Sequence, residues 1–143
     1  MNNIVYTTEN NLSLTELLHI YNDVGWTAYT NKPEILAAAI KQSLCVITAR
    51  HNGNLIGMIR AIGDGLTVIF IQDLLVLKAF QNQKIGTTLI QLLFNKYKHV
   101  RQKALMTDDT IKTRSFYKSL GFTACDNGKT IAFYRDELEQ SSS

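Results

Sequence analysis

One helix start in this chain has cations where helices ordinarily favour acids. The run from Asp73 to Gly86, DLLVLKAFQNQKIG, ends an apolar stretch, crosses a short polar loop and opens an amphipathic helix near Lys84. From Leu74 to Thr107 there is no Asp or Glu, while Lys78, Lys84, Lys96, Lys98, Arg101 and Lys103 all fall there. The first N–H groups of a helix have no intrahelical partner, and the helix dipole favours negative charge beside them. A first turn with a lysine and no acid therefore predicts an anion site suited to a phosphate-bearing cofactor. Gly86 allows the backbone to approach a phosphate closely, and Lys84 offers an ion pair. The plainer alternative for the basic block is a solvated face.

Two further groups carry chemistry. Gln72 and Asp73 interrupt an apolar strand, and consecutive strand residues point to opposite faces, so at least one enters a cleft or the core. An unpaired carboxylate there is costly. Asp73 either faces a ligand in a cleft or makes a structural hydrogen bond to a loop. In GWTAYT, Gly25 to Thr30, Trp26 and Tyr29 could wall a pocket for a cation or an aromatic amine, or pack as core under a loop. His19, His51 and His99 have no ligand spacing, and no metal is expected.

These groups need a scaffold. The chain's 143 residues predict one domain, 1–138, followed by a disordered tail, 139–143. Its 45 % hydrophobic and 19 % charged content is ordinary for a soluble protein. A net charge of +3 is too small to argue for nucleic acid. No leader pattern or membrane-length apolar run is present, so no membrane association is expected. Cys45 and Cys125 read as free thiols, which predicts a cytoplasmic protein.

Ile4 to Tyr6 reads as a short strand. Ser13 with Glu16 predicts a capping box ahead of the first helix, and Pro33 falls in the first turn of the second. Cys45 to Arg50, Leu55 to Ile62 and Thr67 to Leu77 read as strands joined at Asn52-Gly53 and Asp64-Gly65. A helix follows from about Lys84 to Tyr97, then a strand at Ala104 to Thr107. Asp108 or Asp109 is the expected cap of a helix ending at Gly121. Strands at Phe122 to Ala124 and Ile131 to Tyr134 would close the chain. The order is βααβββαβαββ, an α+β fold with a mixed sheet of about 6–7 strands and about four helices on both faces.

That order, with the loop QNQKIG and the later FYKSLGF, resembles the GCN5-related N-acetyltransferase (GNAT) superfamily, whose members move an acetyl group from acetyl-CoA to an amine. The family loop reads Gln/Arg-x-x-Gly-x-Gly/Ala; Gln81 and Gly86 match it, and Lys84 stands at the first glycine. The resemblance implies that amides of Gln81, Asn82, Gln83, Lys84, Ile85, Gly86 and Thr87 cradle the CoA pyrophosphate. It implies a further CoA contact at Thr110, where the family often has Asn. It places the thioester against strand amides near Leu75 and Val76, with Gln72, Trp26 and Tyr29 at the acceptor. Tyr117, in the FYxxLGF signature, takes the role of general acid toward the departing thiolate. The implied enzyme is an acetyl-CoA-dependent N-acetyltransferase acting by direct attack of a primary amine, with a small molecule as acceptor. The amine would lose its proton to water or through Asp73 or Asp108. The alternative is a catalytically silent acyl-CoA sensor or interaction domain of the same fold. The family's frequent dimers leave a homodimer open.

Overall fold

Caps and turns set the order of elements in the computed structural model, which describes residues 3–137. Strand β1 (Ile4–Thr8) precedes helix α1 (Leu14–Asp23). Ser13 Oγ accepts the Glu16 N–H and Glu16 Oε2 accepts the Ser13 N–H, both at 3.1 Å, so the capping box forms as expected. Part of GWTAYT, which no helix was expected to cover, makes a single turn, α2 (Thr27–Thr30). Helix α3 (Pro33–Gln42) begins at its proline.

Strands β2 (Cys45–His51) and β3 (Asn54–Gly63) form a hairpin across Asn52 and Gly53, whose φ angles are 52° and 80°. Between β3 and β4 (Val68–Val76) the turn is longer, and Asp64 Oδ1 closes it by accepting the N–H groups of Leu66, Thr67 and Val68. A 3₁₀ turn (Lys78–Phe80), helix α4 (Ile85–Lys96) and strand β5 (Gln102–Leu105) follow.

The five strands lie in the order β1-β2-β3-β4-β5. The first four are antiparallel, and β5 pairs parallel to β4 after the α4 crossover. Helix α4 buries Ile85, Leu89, Ile90 and Leu93, contributing about 1.5–3 kcal/mol each. Gly57 faces it: a Cβ there would lie 3.1 Å from Ile85 Cγ2 and 3.2 Å from the Leu75 carbonyl. A larger residue would therefore push the start of α4 off the sheet. On the other face Leu17, Ile20, Tyr21, Leu36 and Ile40 pack with Val46, Leu55, Met58 and Leu75. No helix among the described residues is long and apolar enough to cross a membrane.

The chain gathers into two compact units, one ending at Met106 and one beginning at Thr107. The second is built on α5 (Ile111–Ser119). Its N-cap is Thr110, not Asp108 or Asp109: Thr110 Oγ1 accepts the Thr113 N–H at 3.1 Å. At the other end, Phe122 N–H reaches the Tyr117 carbonyl at 3.1 Å and Gly121 N–H reaches Lys118 at 3.0 Å. That is a Schellman cap, with Gly121 at φ +92° and the Phe122 ring 5.6 Å from that of Tyr117. FYKSLGF is thus a helix end whose cap holds its own tyrosine. Gly121→Val should destabilise α5 by about 1–2 kcal/mol, because a branched residue resists that φ; a lower midpoint in urea unfolding at unchanged slope would show it.

The two closing strands are corrected. Residues 122–124 are used by the cap, Cys125–Asn127 is a 3₁₀ turn, and residues 131–134 join no sheet among the described residues. Among the described residues the sheet therefore has five strands rather than six or seven, and there are five α-helices rather than about four. β-propensity alone does not make a strand without a partner edge. The expected tail, 139–143, lies outside the described residues.

Candidate active site

Asp73 is buried at 1 % exposure and Arg60, opposite it on β3, at 5 %. Arg60 Nε meets Asp73 Oδ2 at 2.7 Å, and the Tyr21 hydroxyl donates to the same oxygen at 2.7 Å. The Tyr29 hydroxyl donates to Oδ1 at 2.9 Å. Arg60 Nη1 also reaches Ser43 Oγ at 3.3 Å, and Ser43 donates to the Ala39 carbonyl at the end of α3 at 2.7 Å. Burial alone would cost a carboxylate or guanidinium several kcal/mol, and here each is answered by the other and by hydroxyls. Burial works against the Arg60 charge, yet the Asp73 charge and hydrogen bond hold its pKa above the usual value.

Gln72 and Asp73 do not simply alternate across the strand. Arg60 pairs with Asp73 and Ala61 with Ile71, which leaves Gln72 as the extra residue of a bulge in β4. The bulge brings both polar residues to Tyr29: Gln72 Nε2 donates to the Tyr29 oxygen at 3.0 Å while Asp73 accepts its proton. Trp26 and Tyr29 are half-buried against the core, with rings 6.2 Å apart, and Tyr21 lies 5.1 Å from Tyr29. The aromatic wall and the core packing are thus one arrangement. Helix α1 with the α2 turn brings these rings to the bulge.

Beyond Ile71, β4 has no β5 partner, since Leu105 opposite it ends β5. Leu77 N–H donates to Ile56 on β3 at 2.9 Å, so by antiparallel alternation Leu75 also faces β3. The amides of Leu74 and Val76 then face the open edge. The Val76 carbonyl on that edge accepts Gln81 Nε2 at 3.1 Å. The Leu75 side chain is core at 1 % exposure, and the amides that face the open edge are those of Leu74 and Val76.

At the start of α4, Lys84 is the N-cap with φ 63° and ψ 20°, and no side chain caps the helix. Asn82 is also left-handed at φ 65°. A glycine would take the Lys84 conformation freely; lysine does so at about 1–2 kcal/mol. The Thr88 N–H is the first to bond back, to the Lys84 carbonyl at 3.0 Å. The amides of Ile85, Gly86 and Thr87 precede it and have no intrahelical acceptor. Gln81, Asn82, Gln83 and Lys84 are exposed, whereas the Ile85 side chain is core. The cationic block divides: Lys78 and Lys84 sit at this end. Lys96 lies by Tyr97, and Lys103 lies over Phe94, past the far end of a helix about 18 Å long.

In the second unit, the Tyr117 ring stands edge-on between Phe116 and Phe122 at 4.9 and 5.6 Å. Burial pushes its pKa up, so the phenol keeps its proton at neutral pH. Thr110 is occupied as the α5 cap. Among the described residues no cluster of His, Cys, Asp or Glu is arranged to hold a metal ion.

Sequence reasoning passed over Arg60, Tyr21 and Ser43. A signal existed for the first: Arg60 is the one charge in the apolar strand LIGMIRAI, beside a strand whose one charge is Asp73. Burial, then the Asp73 charge, pushes the Tyr21 and Tyr29 pKa values up. A raised folded pKa contributes stability that is intact below the unfolded value, about 10, and is lost as pH rises past it. The thermal midpoint should therefore fall as pH rises above about 10, and Tyr21→Phe should flatten that fall.

The model of the acetyltransferase (GNAT) family matches residues 11–122. A GNAT family acetyltransferase of Streptococcus pneumoniae superposes with a TM-score of 0.78 at 32 % identity, over 93 % of this chain and 99 % of that one. An uncharacterised N-acetyltransferase of Pyropia yezoensis is 27 % identical over 135 residues, 91 % of this chain and 76 % of that protein. An aminoglycoside N-acetyltransferase solved in complex with CoA shares the fold, with a TM-score of 0.72 at 19 % identity, over 95 % of this chain and 96 % of that one.

Proposed function

The chain belongs to the acetyltransferase (GNAT) family, and on that premise we propose that it transfers the acetyl group of acetyl-CoA directly to a primary amine of a small molecule. The observation that carries the reading is the continuity of two donor sets. The open β4 edge, with the amides of Leu74 and Val76, runs through Gln81 into the uncapped start of α4. One suits a developing oxyanion and the other a pyrophosphate. Their chemistry fits acetyl-CoA, which supplies a thioester carbonyl open to attack.

The amides of Ile85, Gly86 and Thr87, with Lys84 beside them, would hold the phosphates. Leu74 and Val76 would donate to the carbonyl oxygen as charge grows on it. The amine arrives neutral at the Tyr29–Gln72 wall. As the nitrogen attacks and the C–S bond breaks, the nitrogen loses one proton to water; Tyr117, kept protonated by burial, gives its proton to the leaving sulfur and is reprotonated from water. Asp73 has its oxygens engaged by three donors, so its part is to hold Tyr29 rather than to touch the amine. Two free thiols suit a cytoplasmic setting.

The test is CoA release, detected as free thiol, when purified protein meets acetyl-CoA and a panel of primary amines. Release with at least one amine supports the reading. Binding of acetyl-CoA without release for any amine refutes it. Gly86→Val should abolish acetyl-CoA binding in calorimetry while the thermal midpoint holds, since the side chain would intrude between helix start and phosphate; retained affinity would remove the cradle.

A further inference from the structure

The proton of the Tyr29 hydroxyl is committed. It goes to Asp73 Oδ1 at 2.9 Å. Asp73 is in turn held by Arg60 Nε and the Tyr21 hydroxyl, both at 2.7 Å on Oδ2. With the phenol proton spent on the carboxylate, Gln72 must present its amide N–H, and it does so at 3.0 Å. A phenol oxygen has room for one more donor. The Tyr29 residue is half-buried, and the Trp26 ring lies beside its ring with centroids 6.2 Å apart. The Asp73 charge is matched by Arg60, so this wall shows an oriented acceptor dipole rather than a net charge.

We infer that the Tyr29 oxygen is the hydrogen-bond acceptor for one N–H of the acceptor amine, that Trp26 packs against that amine's apolar or aromatic substituent, and that the buried Arg60–Asp73 pair is the positioning device that fixes the polarity of Tyr29. The inference rests on the transferase reading and sharpens its acceptor. With one N–H held by Tyr29, a neutral amine keeps its lone pair for attack. Gln72 lies two residues before Leu74, about 7 Å along the strand from the first edge amide. Its carbonyl oxygen engages no described residue, so it can take a second N–H.

Trp26 is the only tryptophan, so its fluorescence reports this wall without requiring turnover. Benzylamine titrated into the protein should give a saturable change. Tyr29→Phe removes one oxygen and keeps the ring; it should weaken the affinity about tenfold or more, and because Asp73 Oδ1 loses a donor the thermal midpoint falls too, so the titration is run well below that midpoint. Arg60→Met should weaken the affinity too, Arg60→Lys should restore most of it, and Tyr29→Phe should add nothing in the Arg60→Met background, as expected of two residues acting as a unit. Additive effects would show that Arg60 is structural only and overturn its positioning role. Where Arg60→Met does not fold, the Tyr29→Phe comparison decides alone. Unchanged affinity in Tyr29→Phe, or no saturable change in the parent protein, overturns the inference. CoA release on the same samples separates the two readings. Turnover with unaltered amine affinity in Tyr29→Phe sinks this inference alone, and amine binding without turnover for any amine sinks the transferase reading alone.

Discussion

Tyr117→Phe is expected to lower kcat about 100-fold or more while the KM for the amine stays near its parent value. A positioned acid contributes roughly 10²–10⁴ in rate, and a factor of 100 corresponds to about 2.7 kcal/mol of barrier. The substitution removes one oxygen and leaves the ring between Phe116 and Phe122, so α5 and its cap should survive. The pH profile provides a second signature. Burial raises the Tyr117 pKa, so the parent should hold its rate through neutral pH and lose it on the alkaline side as the phenol ionises. In Tyr117→Phe that alkaline limb should vanish along with most of the rate. An unchanged kcat with an intact alkaline limb would remove the tyrosine from the chemistry.

Asp73→Leu is expected to cost about 3–5 kcal/mol of stability, the penalty for stranding one partner of a buried ion pair. Arg60 would be left charged at 5 % exposure, and the hydroxyls of Tyr21 and Tyr29 would lose their acceptor. For a chain of this size that is a fall in thermal midpoint on the order of 10 °C. The double variant Arg60→Met with Asp73→Leu fills similar volume without a stranded charge. It should recover most of the loss, because well-packed apolar pairs often match buried ion pairs. If the single variant melts with the parent, the pair is not buried as described. If the double variant is no better than the single, the loss comes from the hydroxyls and packing instead. Either protein would lack the device that orients Tyr29.

Local signals were legible wherever a few adjacent residues decide the outcome. Ser13 and Glu16 announce the start of α1, Asn52-Gly53 announces a hairpin, and Gly121 marks the end of α5. Each is a short-range geometric requirement that few residue types satisfy. The cap of α5 was misassigned because Asp108, Asp109 and Thr110 are all good caps, and only hydrogen bonds already formed distinguish them. The closing strands misled for a related reason. Residues 131–134 have strand composition, but a strand exists only as a pairing, and pairing is not a local property.

The sequence by itself determined that an apolar strand would run into a cationic, acid-free helix start, that a Tyr-x-x-Leu-Gly-Phe helix end would follow, and that the family would be read from these two motifs. Those features lie within a turn or two of chain, where backbone sterics and unpaired amides dictate them. Only the tertiary structure decided that Asp73 is spent on Arg60 and two tyrosines, that a bulge at Gln72 turns both polar residues to Tyr29, and that Leu74 and Val76, not Leu75, offer their amides to the open edge. These depend on the register between strands and on which strand ends first. A shift of one residue reverses which groups face the site, and the cost of a buried charge is settled only by the partner that packing delivers.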